Sequence, residues 1–192
     1  MKVLVATNNA AKIERYRKLL RGTDIELISP ADLGIESVEV KETGATLADN
    51  ALLKARAYLG TSDHPILAND TGFWVEGEGL IDAPKRAALG EREEHTLTAE
   101  ELSEILFEFW RQKAVAHGGR VDGAWVEDFA LVMPDGTERM SHSRREVILT
   151  DTRFGDAHIQ FPIRTLCISK TSGKPSVHNS PEEAETELAP VR

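Results

Sequence analysis

The chain has 192 residues, 41% of them hydrophobic and 29% charged, enough to bury a substantial core in one domain or in one domain with two lobes. Its net charge of −9 argues against the clustered lysine and arginine that a nucleic-acid backbone demands, but not against a nucleotide, which needs only a few local cations. The single Cys167 excludes an internal disulfide and a cysteine-based zinc site, and no apolar run approaches the roughly 18 residues of a membrane helix. With no leader-like segment at Met1, the expectation is a cytoplasmic protein without a membrane or nucleic-acid partner.

Val3 to Ala6 is a short apolar run that predicts a strand, and from Ile13 the spacing turns helical, with Ile13, Tyr16, Leu19 and Leu20 on one face. Between them lie Thr7, Asn8, Asn9 and Lys12. Backbone N–H groups left without partners at a helix start attract anions, and Lys12 adds a charge one turn in. Residues 7–12 therefore read as a candidate phosphate site, but on this segment alone the ordinary capped β–α turn with a surface lysine is the stronger reading.

Val38 and Val40 alternate as in a strand, which puts Glu42 on their face at its end. Gly44 gives a turn, and Thr46 with Asp49 makes a capping-box start for a helix reaching about Leu59. Asn50 and Lys54 are four apart on that helix and project from one face. A carboxylate facing an amide and an amine can hold a hard cation and a polyphosphate together, although a well-capped surface helix looks the same. Farther on, Asn69-Asp70-Thr71-Gly72 falls between two apolar stretches and predicts a break between short strands. An acid there suits a metal ligand or general base; Asp-Thr-Gly also reads as a plain turn.

Thr98 to Glu101 forms a second capping box, for a helix with Leu102, Ile105, Leu106, Phe109 and Trp110 at core spacing. Trp125, Phe129, Leu131 and Met133 alternate along a strand, and Pro134-Asp135-Gly136 closes a hairpin into residues 137–149. His142, Arg144 and Arg145 read as a solvated strand face, and the six histidines show no metal-ligand spacing. Residues 179–192 read as a short helix and a frayed tail.

Together the three N-terminal segments resemble the inosine triphosphate pyrophosphatase family, whose members remove aberrant purine nucleoside triphosphates. Its signatures T-x-N-x-x-K, E-T-G-x-T-x-x-x-N-A-x-x-K-A and an acidic pair followed by S/T-G appear in order at residues 7–12, 42–55 and 69–72. The resemblance is close over about residues 1–76 and traceable through 98–113 and the hairpin. It implies a mixed α/β fold: an elongated curved sheet with flanking helices, a single domain over 1–192 whose two lobes surround a cleft, and a homodimer. It also implies Mg²⁺-dependent hydrolysis of a nucleoside triphosphate, such as ITP or XTP, to the monophosphate and pyrophosphate. Carried over by position, Thr7, Asn8, Asn9, Lys12, Asn50, Lys54 and Thr71 bind substrate, Glu42 and Asp70 hold the metal, and Asp70 activates water.

The chain departs from the family pattern at several points. Asn69 replaces the first acid of the pair, removing a negative charge beside Asp70. The base-reading F-G-Y/W-D-P stretch falls on Phe161-Pro162-Ile163-Arg164-Thr165, keeping the aromatic that stacks on the base and placing Arg164 where the family has Asp. The family's S-H-R is absent near the C-terminus, and its P-G-x-x-S-A-R-Y loop reads Ala83-Pro84-Lys85-Arg86-Ala87-Ala88-Leu89. An arginine donates where an aspartate accepts, so altered base recognition is expected. The alternatives are the same chemistry on an ordinary or modified nucleotide, or a nucleotide-binding protein with little turnover.

Overall fold

Strand β1 (Lys2–Val5) buries Val3, Leu4 and Val5, and it runs parallel both to β2 (Glu26–Ile28) and to the start of β3 (Ile66–Val75). This double parallel pairing covers the strand on both edges, as its continuous apolar run requires. The computed structural model describes residues 1–7, 9–36 and 38–191. It is a mixed α/β fold with a seven-stranded open sheet in the order β2-β1-β3-β5-β6-β7, where β5 is Arg120–Val132, β6 is Glu138–Thr150 and β7 is Cys167–Ser169. The short β4 (Gly79–Ile81) pairs antiparallel with β3.

The chain divides into two compact units. The first comprises Met1–Thr71, Glu127–Ser143 and Val191. In it, α1 (Ala10–Leu19) buries Ile13, Tyr16 and Leu19 on the predicted face, and α2 (Leu47–Arg56) buries Ala51 and Ala55 among Leu4, Ile28, Ile66, Ala130 and Val132. Alanines four apart let a helix backbone lie close to a sheet. Thr46 and Asp49 cap α2 reciprocally, as expected. The helix ends at Arg56, earlier than the expected Leu59, because Tyr58, Leu59 and Thr61 donate three residues back in tight turns that finish at Gly60, φ 80°.

The second unit comprises Gly72–Val126 and Arg144–Pro190. Its core joins Phe73, Phe107, Trp110, Val147, Leu149, Leu166 and Cys167. Phe73 meets Trp110 and Trp125 edge-on, at 5.2 and 5.1 Å between ring centres, so Trp110 packs as expected. Helices α3 (Pro84–Leu89), α4 (Ala99–Ala116) and α5 (Pro181–Glu187) belong here, α4 with the expected Thr98–Glu101 capping box.

Two local expectations are corrected. Residues 69–72 do not break a strand: β3 runs unbroken from Ile66 to Val75. Gly72 is there for close approach, since a Cβ would stand 2.8 Å from Leu80 Cδ1. Val38 to Glu42 is not a strand, although its alternation sends Val38, Val40 and Glu42 to one cavity. Along β5 the alternation holds, but Ala124, Val126, Ala130 and Val132 form the buried face, while Trp125, Phe129 and Leu131 are half-buried. The hairpin at Pro134–Gly136 forms as expected, with Met133 N–H on Thr137 O at 2.8 Å and Gly136 at φ 85°.

Candidate active site

The first unit holds a cavity of about 290 Å³. Its walls come from the end of β1 and the turn after it (Val5, Ala6, Thr7, Asn9), from Lys12 and Tyr16 of α1, from Val38, Val40 and Glu42, from Lys54, and from Ala68 and Asn69 of β3. Asn9 N–H donates to Thr7 Oγ1 at 3.2 Å and Lys12 N–H to Asn9 Oδ1 at 3.2 Å, which caps the helix start, and the same side chains face the cavity. Asn8 lies outside the described residues.

Three charged groups meet at one point. Lys54 Nζ lies 2.7 Å from Glu42 Oε1 and 2.7 Å from Asp70 Oδ1. Asp70 is 7% exposed, so its carboxylate relies on this ammonium for compensation. The loop presenting Glu42 is fastened by Asn50, whose Oδ1 accepts Gly44 N–H at 2.8 Å. Gly44 is obligatory there: a Cβ would stand 2.5 Å from Asp49 Cβ and 2.7 Å from Asn50 Oδ1. Asn50, expected to bind substrate, is thus 5% exposed and committed to closing the loop.

A second network fixes the neighbouring wall. Tyr16 O–H donates to Asn69 Oδ1 at 2.6 Å, and Lys12 Nζ reaches the same oxygen at 3.5 Å. Asn69 Nδ2 donates to Asp70 O and to Thr71 Oγ1, both at 3.1 Å. Burial pushes the Tyr16 phenol well above its ordinary range, so it remains a donor. Burial, and then the Lys54 ammonium, pulls Lys12 below the usual lysine range. Asn69 therefore serves as a neutral acceptor for two α1 side chains. Behind them, Arg15 makes a bidentate pair with the buried Glu127 of β5, anchoring α1 beside the cavity.

Glu42 and Asp70 offer hard oxygen donors to a point already filled by a cation, a donor set that fits Mg²⁺. Mg²⁺ keeps several waters and is usually held by one or two carboxylates together with substrate phosphates. Among the described residues no group of three or more His, Cys, Asp and Glu forms a protein cage for a metal.

Phe161 and Arg164 belong to the second unit. Phe161 N–H donates to His158 Nδ1 at 3.1 Å and its ring lies edge-on to that imidazole, 5.9 Å between centres. Arg164 is exposed on the 3-10 turn Pro162–Leu166, and burial followed by the Arg164 charge lowers the His158 pKa. Sequence reasoning assigned Tyr16 only to the helix core, although it stands four residues after Lys12 on the same face. The Arg15–Glu127 pair spans 112 residues and left no local signal.

A model of the Ham1 family matches residues 3–133. The chain belongs to the Ham1 family. The dITP/XTP pyrophosphatase of Frankia alni is 34% identical over 157 residues, covering 80% of this chain and 75% of the relative. The dITP/XTP pyrophosphatase of Streptomyces avermitilis is 33% identical over 161 residues, covering 80% and 74%. Among solved structures, a nucleoside-triphosphatase / dITP/XTP pyrophosphatase from Mycobacterium abscessus superposes with a TM-score of 0.68 at 25% identity, covering 97% of this chain and 93% of that one. A HAM1 protein from Coxiella burnetii gives 0.71 at 19% identity over 99% and 91%, a likeness of fold. The Ham1 match contains every cavity residue and Asp70, and ends before Phe161 and Arg164.

Proposed function

We propose that this Ham1 protein is a Mg²⁺-dependent nucleoside triphosphate pyrophosphatase, cleaving the α–β phosphoanhydride to give a monophosphate and pyrophosphate. The observation that carries the reading is the Glu42–Lys54–Asp70 cluster beside a cavity with Thr7, Asn9 and Lys12 on its wall. Lys12 and Lys54 bind and neutralise the phosphates, and the capped turn at Thr7 and Asn9 supplies further polar contacts. Asp70 accepts a proton from the attacking water through its carboxylate and aims the water at phosphorus. Glu42 and Asp70 would hold Mg²⁺, which when bound supplies charge neutralisation to the phosphate oxygens.

The likeness to the Frankia and Streptomyces dITP/XTP pyrophosphatases favours a deaminated purine nucleotide such as dITP or XTP as substrate. Altered base recognition is assigned to Arg164, three residues after Phe161, whose guanidinium carries donors suited to a purine O6 or N7 or to a pyrimidine carbonyl. Homodimer assembly is part of the same proposal and rests on the family resemblance; sedimentation tests it.

The test is a screen of ordinary and deaminated triphosphates with Mg²⁺, separating pyrophosphate from orthophosphate. Pyrophosphate from at least one deaminated purine is expected. Orthophosphate alone would overturn the cleavage site, and nucleotide binding without product would leave a binding protein.

A further inference from the structure

The charges around the cavity cancel. Lys12 and Lys54 are set against Glu42 and Asp70, and Arg15 is spent on Glu127. A polyanion approaching this arrangement meets two cations and two anions. Lys54 in particular is held at 2.7 Å by both carboxylates, so as it stands it cannot turn to a phosphate without leaving Asp70, which is buried, without a counterion. A lysine able to serve the substrate must first be replaced at the carboxylates by another cation.

We infer that Lys54 is an internal counterion that occupies the divalent-cation position and is handed to the phosphates only when a metal takes over Glu42 and Asp70. This rests on the pyrophosphatase reading for the second half of the exchange, while the first half concerns the protein and the metal alone. The geometry supports an exchange. Lys54 is a long, flexible side chain on a well-capped helix, 16% exposed, and the Glu42 side chain beside it is 47% exposed, opening the point to solvent. The loop that carries Glu42 is held at its base by the Asn50–Gly44 hydrogen bond, so the carboxylates stay in place while the lysine moves. Lys12 has no such role: its ammonium reaches the neutral Asn69 Oδ1 at 3.5 Å.

The two lysines are therefore expected to differ toward metal in the absence of nucleotide. Removing Lys54 leaves two carboxylates with no competing ammonium, so Lys54→Met should tighten Mn²⁺ binding by about tenfold or more. Lys12→Met removes a nearby charge but no competitor, and should tighten it distinctly less. The measurement is titration with Mn²⁺ alone, following the free ion by electron paramagnetic resonance. Unchanged or weaker Mn²⁺ affinity in Lys54→Met overturns the inference, as does a tightening no greater than that of Lys12→Met, which would mark a general field effect. Should Lys54→Met fail to fold, Lys54→Gln, which keeps a hydrogen-bond donor for Asp70, is judged by the same comparison. Pyrophosphate release is not read here, so a protein without turnover still tests the counterion, and an active one whose Lys54 variant binds Mn²⁺ as wild type refutes it.

Discussion

At the scale of single residues, the proposed chemistry places its heaviest demand on Asp70. Asp70→Asn keeps the size of the side chain and a hydrogen-bonding group while removing the base, and kcat should fall by roughly 10²-fold with the circular dichroism spectrum unchanged. Turnover within a factor of two of wild type would take Asp70 out of the mechanism. Tyr16 and Asn69 act at one remove, by fixing the wall from which Lys12 reaches the cavity. Tyr16→Phe keeps the packing against Phe129 and deletes one donor to Asn69. Loss of a hydrogen bond of ordinary net strength should raise KM about two- to tenfold for every base, with kcat nearly unchanged. A loss confined to kcat would mean that Tyr16 touches the reaction itself. Arg164→Ala probes base selection: the ranking of triphosphates should change while the metal requirement stays. An unaltered ranking would assign Arg164 to the surface alone.

At the scale of elements, the loop before α2 is the most exacting local structure. Thr46→Ala removes one half of the capping box and should cost about 1 kcal/mol in urea unfolding. Gly44→Ala should cost activity first, because its Cβ would displace Asn50 and with it the loop that carries Glu42. Equal kcat/KM for Gly44→Ala and wild type would show that the loop need not be held. The caps and helical faces here were legible in the sequence because they depend on residues three or four apart. The strand expected at Val38–Val40 was not, because alternation records an extended chain facing a cavity as readily as a paired strand. The same limit applied at Gly72, read as a turn residue when its need is room for Leu80. In the site, Thr7, Lys12, Glu42, Lys54 and Asp70 were found through their motifs. The hydrogen bond from Tyr16 to Asn69 and the pair of Arg15 with Glu127 join distant segments, and only the fold brings them together.

At the scale of the whole molecule, each unit has its own apolar cluster, one around Leu4 and Ile66 and the other around Phe73 and Trp110. Cys167 lies fully buried in the second, where burial pushes its thiol up to about 12. The nucleophile is the thiolate, so the native protein should resist a maleimide and react only in denaturant that opens this core. Rapid labelling in native buffer would contradict the packing. Besides the junction at 190–191 in the last 3-10 turn, the boundaries between the units fall at residues 71–72, 126–127 and 143–144, and each of these three lies inside a strand: β3, β5 and β6. A protease seeking a linker finds hydrogen-bonded ladder at all three. Neither unit can therefore be excised or grafted as a cassette, since any exchange severs three strands in mid-course. A lineage built on this chain is left with single substitutions within the strands and loops it already has, and not with trading one module for another.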